Sequence, residues 1–179
     1  MPLTYKQLQK YLEDYPDEIE VVQAFEALGS EKRKPRNSVI TGSAWIIRPS
    51  DHSVMLLNNA LNPQWPLPQG ELQSLYNTTE FITTTTKIQT RIESDIKPIN
   101  NQIFHLSVQY QPTQDDVKHH YCFDICMLYF MQEPIKKVCE KTTFTWHNSA
   151  ELYLQTKNKT LNRLAKKWQW MSHQIVESV

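Results

Sequence analysis

Apolar residues recur at spacings of three and four through the first part of the chain. Leu8, Leu12, Ile19, Val22, Phe25 and Leu28 fall on one stripe, and Pro16 divides the stretch from residue 3 to residue 28 into two helices. Gly29 suits the left-handed residue that ends a helix, and the SEKRKPRNS that follows is a charged loop. From Val39 the pattern shortens to strand-length runs. VITGSAWIIRP and SVMLLN, joined by the turn segment PSDHS, predict a hairpin. Asn62, Pro63, Pro66 and Pro68 then break regular structure around Trp65. Gln102 to Gln111 alternates Phe104, Leu106, Val108 and Tyr110 with polar residues and predicts a further strand. The long apolar run from His119 to Met131 predicts a strand buried on both faces. Lys141 to Trp146 is another strand. It leads into a helix start, HNSAELYLQ, where Asn148 or Ser149 can cap and Glu151 falls in the first turn. Thr160 to Val176 closes the chain with an amphipathic helix carrying Leu161, Leu164, Trp168, Met171 and Ile175 on one side.

Composition narrows the function classes. The 179 residues suit one domain around one core. Nineteen basic and nineteen acidic side chains leave no net charge, so nothing draws the chain to nucleic acid or to an anionic membrane. The KRK run is a solvated turn. No apolar run approaches the roughly 20 residues of a membrane span. The N-terminal MPLTYKQLQKYLEDYPDE is too polar for a secretory segment. The expected location is the cytoplasm, although a receptor-read export signal would leave no trace in this pattern. Cys122, Cys126 and Cys139 are an odd number, with two in the long apolar strand, and read as reduced core thiols. The N-x-T triplets at Asn77 and Asn158 are chance matches in a chain rich in Asn and Thr.

Several familiar chemistries are absent. With three glycines and no G-x-S-x-G, the sequence holds no P-loop, dinucleotide fold or nucleophile elbow. His120, Cys122, Asp124 and Cys126 would share one face of a strand by the period of two, but a closed zinc site draws its ligands from two elements. The reading there is a buried strand with a polar start. Most of the five tryptophans are core residues.

The order of the pieces carries a resemblance. TGSAWIIRPSDHSVMLL is similar to the opening hairpin of the bacterial Nudix hydrolases, and QWPLPQG to their W-x-x-P-G-G segment, with Gln69 in place of the first Gly. NQIFHLSVQYQP resembles the strand after the Nudix box. HHYCFDICMLYF resembles the H-x-H-x-D strand that follows, with Cys122 at the second His. TFTWHNSAEL resembles the W-[FV]-x-x-x-E-L element, and LNRLAKKW the usual C-terminal helix. The match runs along nearly the whole chain. It implies an α/β (α+β) Nudix-type fold, a mixed sheet between helices in a single domain. A helical extension over residues 1–36 would precede a Nudix-like region over residues 37–179.

The catalytic helix is where the resemblance thins. The box is G-x5-E-x7-R-E-U-x-E-E-x-G-U, with U aliphatic. Counted from Gly70, its first Glu falls on Tyr76, the R-E pair on Thr84 and Thr85, the E-E pair on Ile88 and Gln89, the second Gly on Arg91 and the last aliphatic on Ile92. A shift of four residues recovers Glu93 alone. The family's reaction is attack of water on a diphosphate linked to another group, with divalent metals held by the box carboxylates. Those carboxylates must lie three or four apart to share a helix face, and Glu71, Glu80, Glu93 and Asp95 provide no such pair. Arg91, in place of the helix-ending Gly, must take a left-handed cap or the turn must change shape. The reading is therefore a Nudix-fold protein without catalysis, binding a nucleotide-like small molecule or a protein partner, and needing no cofactor. The alternative is a hydrolase of nucleoside diphosphates linked to another moiety, with relocated ligands. In that case Glu93 and Glu71 would be the catalytic metal ligands for Mg2+ or Mn2+, with Asp124 supporting them, and Glu140 is a further acid from which a pair could be rebuilt. Trp65, Gly70 and Asp124 are the candidate ligand-binding residues in either case.

Overall fold

A computed structural model describes residues 5–28, 38–58, 66–73, 77–111, 120–132 and 143–176. Trp65, Tyr76, Glu140, Cys139 and the proposed cap Gly29 lie outside the described residues. The N-terminal stripe forms α1 (Tyr5–Asp14) and α2 (Ile19–Leu28), separated at Pro16 by a single 3-10 turn over Pro16–Glu18. Proline at the first position of that turn loses no hydrogen bond, because its missing N–H would have no partner there.

Six strands follow: β1 (Ser38–Ile47), β2 (Val54–Leu57), β3 (Gln69–Glu71), β4 (Ile96–Gln111), β5 (His120–Met131) and β6 (Phe144–His147). They form one mixed sheet in the order β4-β5-β1-β2-β6, with β3 pairing with the middle of β1, Thr41 to Ser43. The predicted hairpin is present, with Ile47 opposite Val54. β1 and β5 run parallel and every other pairing is antiparallel. A parallel central pair is covered on both faces, which is why residues 122–129 are buried without alternation.

Two elements differ from the sequence pattern. β4 begins at Ile96, six residues before the predicted start, and contains Pro98. It tolerates the proline because it is the edge strand and because its register slips between Pro98 and Ile103. β3, in the Pro-rich loop, is three residues long and carries no apolar alternation to signal it.

Helices cover the two faces. Ile82 of α3 (Thr78–Thr90) packs on Ala44, Ile46, Met127 and Tyr129, while α1 and α2 place Leu8, Tyr11, Val22 and Phe25 against Leu106, Phe123 and Ile125 beside it. On the opposite face α5 (Lys159–Val176) lays Leu161, Leu164, Ala165 and Trp168 over Trp45, Phe104, Cys126 and Leu128, with α4 (Ser149–Gln155) alongside. Asn148 caps α4 by accepting the N–H groups of Ala150 and Glu151. Helix α3 lies close to the sheet because Gly42 has no side chain. A Cβ there would sit 2.8 Å from Ile82 Cγ1.

Candidate functional site

The loop–helix segment that should carry chemistry is built on β3 and α3. Four consecutive threonines disfavour a helix, yet α3 forms. The hydroxyls of Thr83 and Thr90 donate to the carbonyls of Thr79 and Thr86 one turn back, at 2.8 and 2.7 Å, and Ile82 is buried against the sheet. The helix stops at Arg91, which takes the left-handed conformation (φ 54°, ψ 41°) with its N–H on the Lys87 carbonyl. An L-residue there carries a steric cost of about 1 kcal/mol that glycine would not.

Gly70 sits opposite Gly42 in the β3–β1 pairing, beneath Phe81 and Thr85 of α3. Gln69 precedes it and is held at both ends. Its backbone N–H donates to Gln89 Oε1 (2.9 Å), and its carbonyl accepts from Gln89 Nε2 (2.7 Å). Its own side chain reaches the α5 face, where Nε2 donates to Thr41 Oγ1 (2.9 Å) and to Asp124 Oδ1 (3.3 Å).

Asp124 is the centre of that second group. It is 2% exposed, and among the described residues no cation pairs with it. Instead Thr41 Oγ1 and Ser43 Oγ each donate to it at 2.7 Å. Burial drives its carboxyl up to about 6, and the three hydrogen bonds from Ser43, Thr41 and Gln69 oppose the rise without cancelling it. Burial also raises the neighbouring thiols, Cys122 and Cys126, and the charge of Asp124 adds to this, so both stay protonated.

The sequence candidates separate in space. Glu71 and Asp124 both lie opposite Thr41, on β3 and β5. They therefore share a face and stand two strand spacings, about 10 Å, apart. Glu71 is exposed. Glu93 lies past the end of α3, exposed, between the buried Ile92 and Ser94, and does not reach the β3–α3 junction as part of the helix. The helix positions that correspond to the box carboxylates hold Thr85 against Gly70, Ile88 in solvent (72% exposed) and Gln89 on the Gln69 backbone. Mg2+ or Mn2+ requires anionic oxygen, and this set of donors does not fit it. Among the described residues no three His, Cys, Asp or Glu side chains converge as a metal site.

A further buried polar group joins the N-terminal helices to α5, and nothing in the sequence pattern pointed to it. Lys167 Nζ lies 2.8 Å from Glu18, 2.6 Å from Tyr11 Oη and 3.1 Å from His105 Nδ1, over the Tyr15 ring at 3.7 Å. Tyr11 donates to Glu18 and accepts the Leu106 N–H of the edge strand at 3.1 Å. Burial lowers Lys167 to about 8 despite Glu18, and holds His105 well below its ordinary value, so the imidazole is neutral. Helical spacing places Lys167 on the margin of the apolar stripe. Its partners come from α1, the 3-10 turn and β4, which only the fold brings together.

Solved structures share the fold. A NUDIX-family hydrolase from Clostridium perfringens superposes with a TM-score of 0.52, covering 74% of this chain and 97% of its own at 10% identity. The fold is the Nudix fold. An Ap4A hydrolase of C. elegans in a binary complex gives a TM-score of 0.53 at 12% identity, over 75% of this chain and 98% of its own. The MutT protein from Methanosarcina mazei Go1 gives 0.52 at 14%, over 76% and 96%. Identities this low show that the Nudix architecture is shared and leave activity open. No protein-family model and no curated protein matches the sequence.

Proposed function

We propose that this chain uses the Nudix fold for binding, of a nucleotide-like small molecule or of a protein partner, and not for metal-dependent hydrolysis. The observation that carries this reading is Gln89. At the box position where the reaction needs a carboxylate for a metal, the side chain is a neutral amide already bonded to both backbone groups of Gln69. Thr85 and Ile88, at the other carboxylate positions, offer no anionic oxygen either. The polar groups open to a ligand there are the half-buried Gln69 and the exposed Glu71, beside the buried Thr41. There Asp124 accepts the Thr41 hydroxyl hydrogen bond and Gln69 Nε2 donates to both residues, which fixes the Thr41 and Gln69 side chains. Such fixed groups can recognise a ligand edge without moving a proton. Two buried free thiols, Cys122 and Cys126, suit the reducing cytoplasm, where we place the protein. No described helix is long and apolar enough to cross a membrane.

The alternative, hydrolysis of a nucleoside diphosphate linked to another group, draws support from Glu71 and Asp124 sharing one sheet face. One experiment decides between them. Purified folded protein is incubated with Mg2+ or Mn2+ and dinucleotides, nucleotide sugars and nucleoside triphosphates. The binding reading expects no turnover above blank. Turnover that is lost in Glu71→Gln or Glu93→Gln would establish the enzyme instead.

A further inference from the structure

Strand β3 is short and exposed on one side, and its edge needs an explanation. The Leu72 N–H and the Pro68 carbonyl both bond to β1, at 2.8 and 3.0 Å. By the alternation of an antiparallel ladder, the N–H and C=O of Gln69 face away from β1. An open edge of that kind is a template for another strand. Here Gln89 covers it from α3, with its carbonyl oxygen on the N–H and its amide nitrogen on the carbonyl. At neutral pH the carboxamide side chains, Asn and Gln, are the ones that carry an acceptor and a donor side by side as a peptide group does.

A carboxylate in the same place behaves differently. It could accept the Gln69 N–H, but its second oxygen would meet the Gln69 carbonyl oxygen about where Nε2 now lies, 2.7 Å away. Two acceptors that close require a proton or a cation between them.

We propose that Gln89 acts as a peptide mimic that closes the β3–α3 junction, so that the junction is held without any divalent ion. The inference rests on the reading of α3 given above as a helix that holds no metal.

Thermal unfolding of the wild type, Gln89→Leu and Gln89→Glu, in EDTA and in Mn2+ at pH 8 and pH 5, tests it. The wild-type Tm is expected to be the same in EDTA and in Mn2+. Gln89→Leu should melt lower by about 2–6 °C in every condition, the loss of two solvent-accessible hydrogen bonds in a chain of this size. Gln89→Glu should show the same deficit at pH 8 in EDTA. It should recover most of it, relative to wild type under identical conditions, when Mn2+ is added, and part of it at pH 5, where the facing carbonyl oxygen favours a protonated carboxyl that can donate. A wild-type Tm raised by Mn2+ overturns the proposal. So does the absence of a deficit in both variants, or a Gln89→Glu deficit as unresponsive as that of Gln89→Leu. Metal-dependent turnover by a wild type whose Tm ignores Mn2+ would overturn the functional reading and leave the clamp standing. A Tm raised by Mn2+ with no turnover would do the reverse.

Discussion

Replacing Asp124 by Asn separates the two forces acting on its buried carboxyl. Burial disfavours the charged form, and the hydrogen bonds from Ser43, Thr41 and Gln69 favour it. Burial wins and leaves the group at about 6. An unfolded aspartate titrates near 3.9. The folded state therefore binds this proton more tightly. The resulting stability is fully present below pH 3.9 and is lost as pH rises through 6. Two pH units correspond to about 3 kcal/mol in all, of which about 1.4 kcal/mol falls between pH 7.5 and pH 5. Asn keeps the shape and does not titrate. With its Nδ2 in place of Oδ2 it donates to the Ser43 hydroxyl, which rotates to accept, while its Oδ1 keeps the bonds from Thr41 and Gln69. That exchange adds an offset that is the same at both pH values. Urea unfolding of both proteins at pH 7.5 and pH 5 supplies the four free energies. On going to pH 5 the difference should move by about 1.4 kcal/mol in favour of the wild type. A difference that stays flat, or moves the other way, would refute the reasoning and show that the three hydrogen bonds outweigh burial.

Gly42→Ala should lower the unfolding free energy by about 1–3 kcal/mol, because the new methyl meets Ile82 Cγ1 at 2.8 Å and Leu72 Cδ1 at 3.3 Å in a filled core. Pairing it with Ile82→Ala, which removes both Cγ1 and the Cδ1 that the methyl would meet at 3.0 Å, should recover part of the loss in a double-mutant cycle, and strict additivity would count against the contact. Arg91→Gly removes a left-handed L-residue from the end of α3 and should raise stability by about 0.5–1 kcal/mol, read from the urea midpoint. Lys167→Met leaves Glu18 and Tyr11 facing each other without the ammonium. It should cost about 2–3 kcal/mol, short of a fully buried pair because Glu18 is one-fifth exposed. The same variant should weaken hydrogen-exchange protection in α1 first if the cluster is what fixes that helix.

The parts of the fold legible from sequence were those governed by periodicity or by one punctuating residue. Pro16 splits the first helices, Asn148 caps α4, and the run from Cys122 to Tyr129 is buried on both faces. Arg91 was legible through chemistry: a helix that must end where no glycine stands has few ways to do so, and it took the left-handed one. β3 was invisible because three residues, one of them glycine, carry no pattern, and its partners on β1, Thr41 to Ser43, lie far back along the chain. The early start of β4 was hidden by Pro98, which reads as a break unless the strand is already known to be an edge. The site was less legible than the fold. Asp124 could be singled out, but not its hydroxyl partners Thr41 and Ser43. Gln89 could be seen only as a missing glutamate, since its role is a pair of bonds to a backbone twenty residues away. Lys167, Glu18 and His105 are ordinary residues until three distant segments converge.

The parallel pairing of β1 with β5 has a consequence for how the chain finds its structure. Residues 38–47 align with residues 121–130, so the central ladder closes only after β2, β3, α3 and β4 have been made or looped out. Loop-closure entropy on that scale must be met before the central strands gain anything from each other. Folding is therefore expected to be slow for a domain of this size, with the β1–β2 hairpin and the adjoining β4 and β5 strands forming earlier as local units. During that interval β5, which carries the longest apolar run, has one edge uncovered. The protein is most exposed to self-association after β5 emerges and before it meets β1.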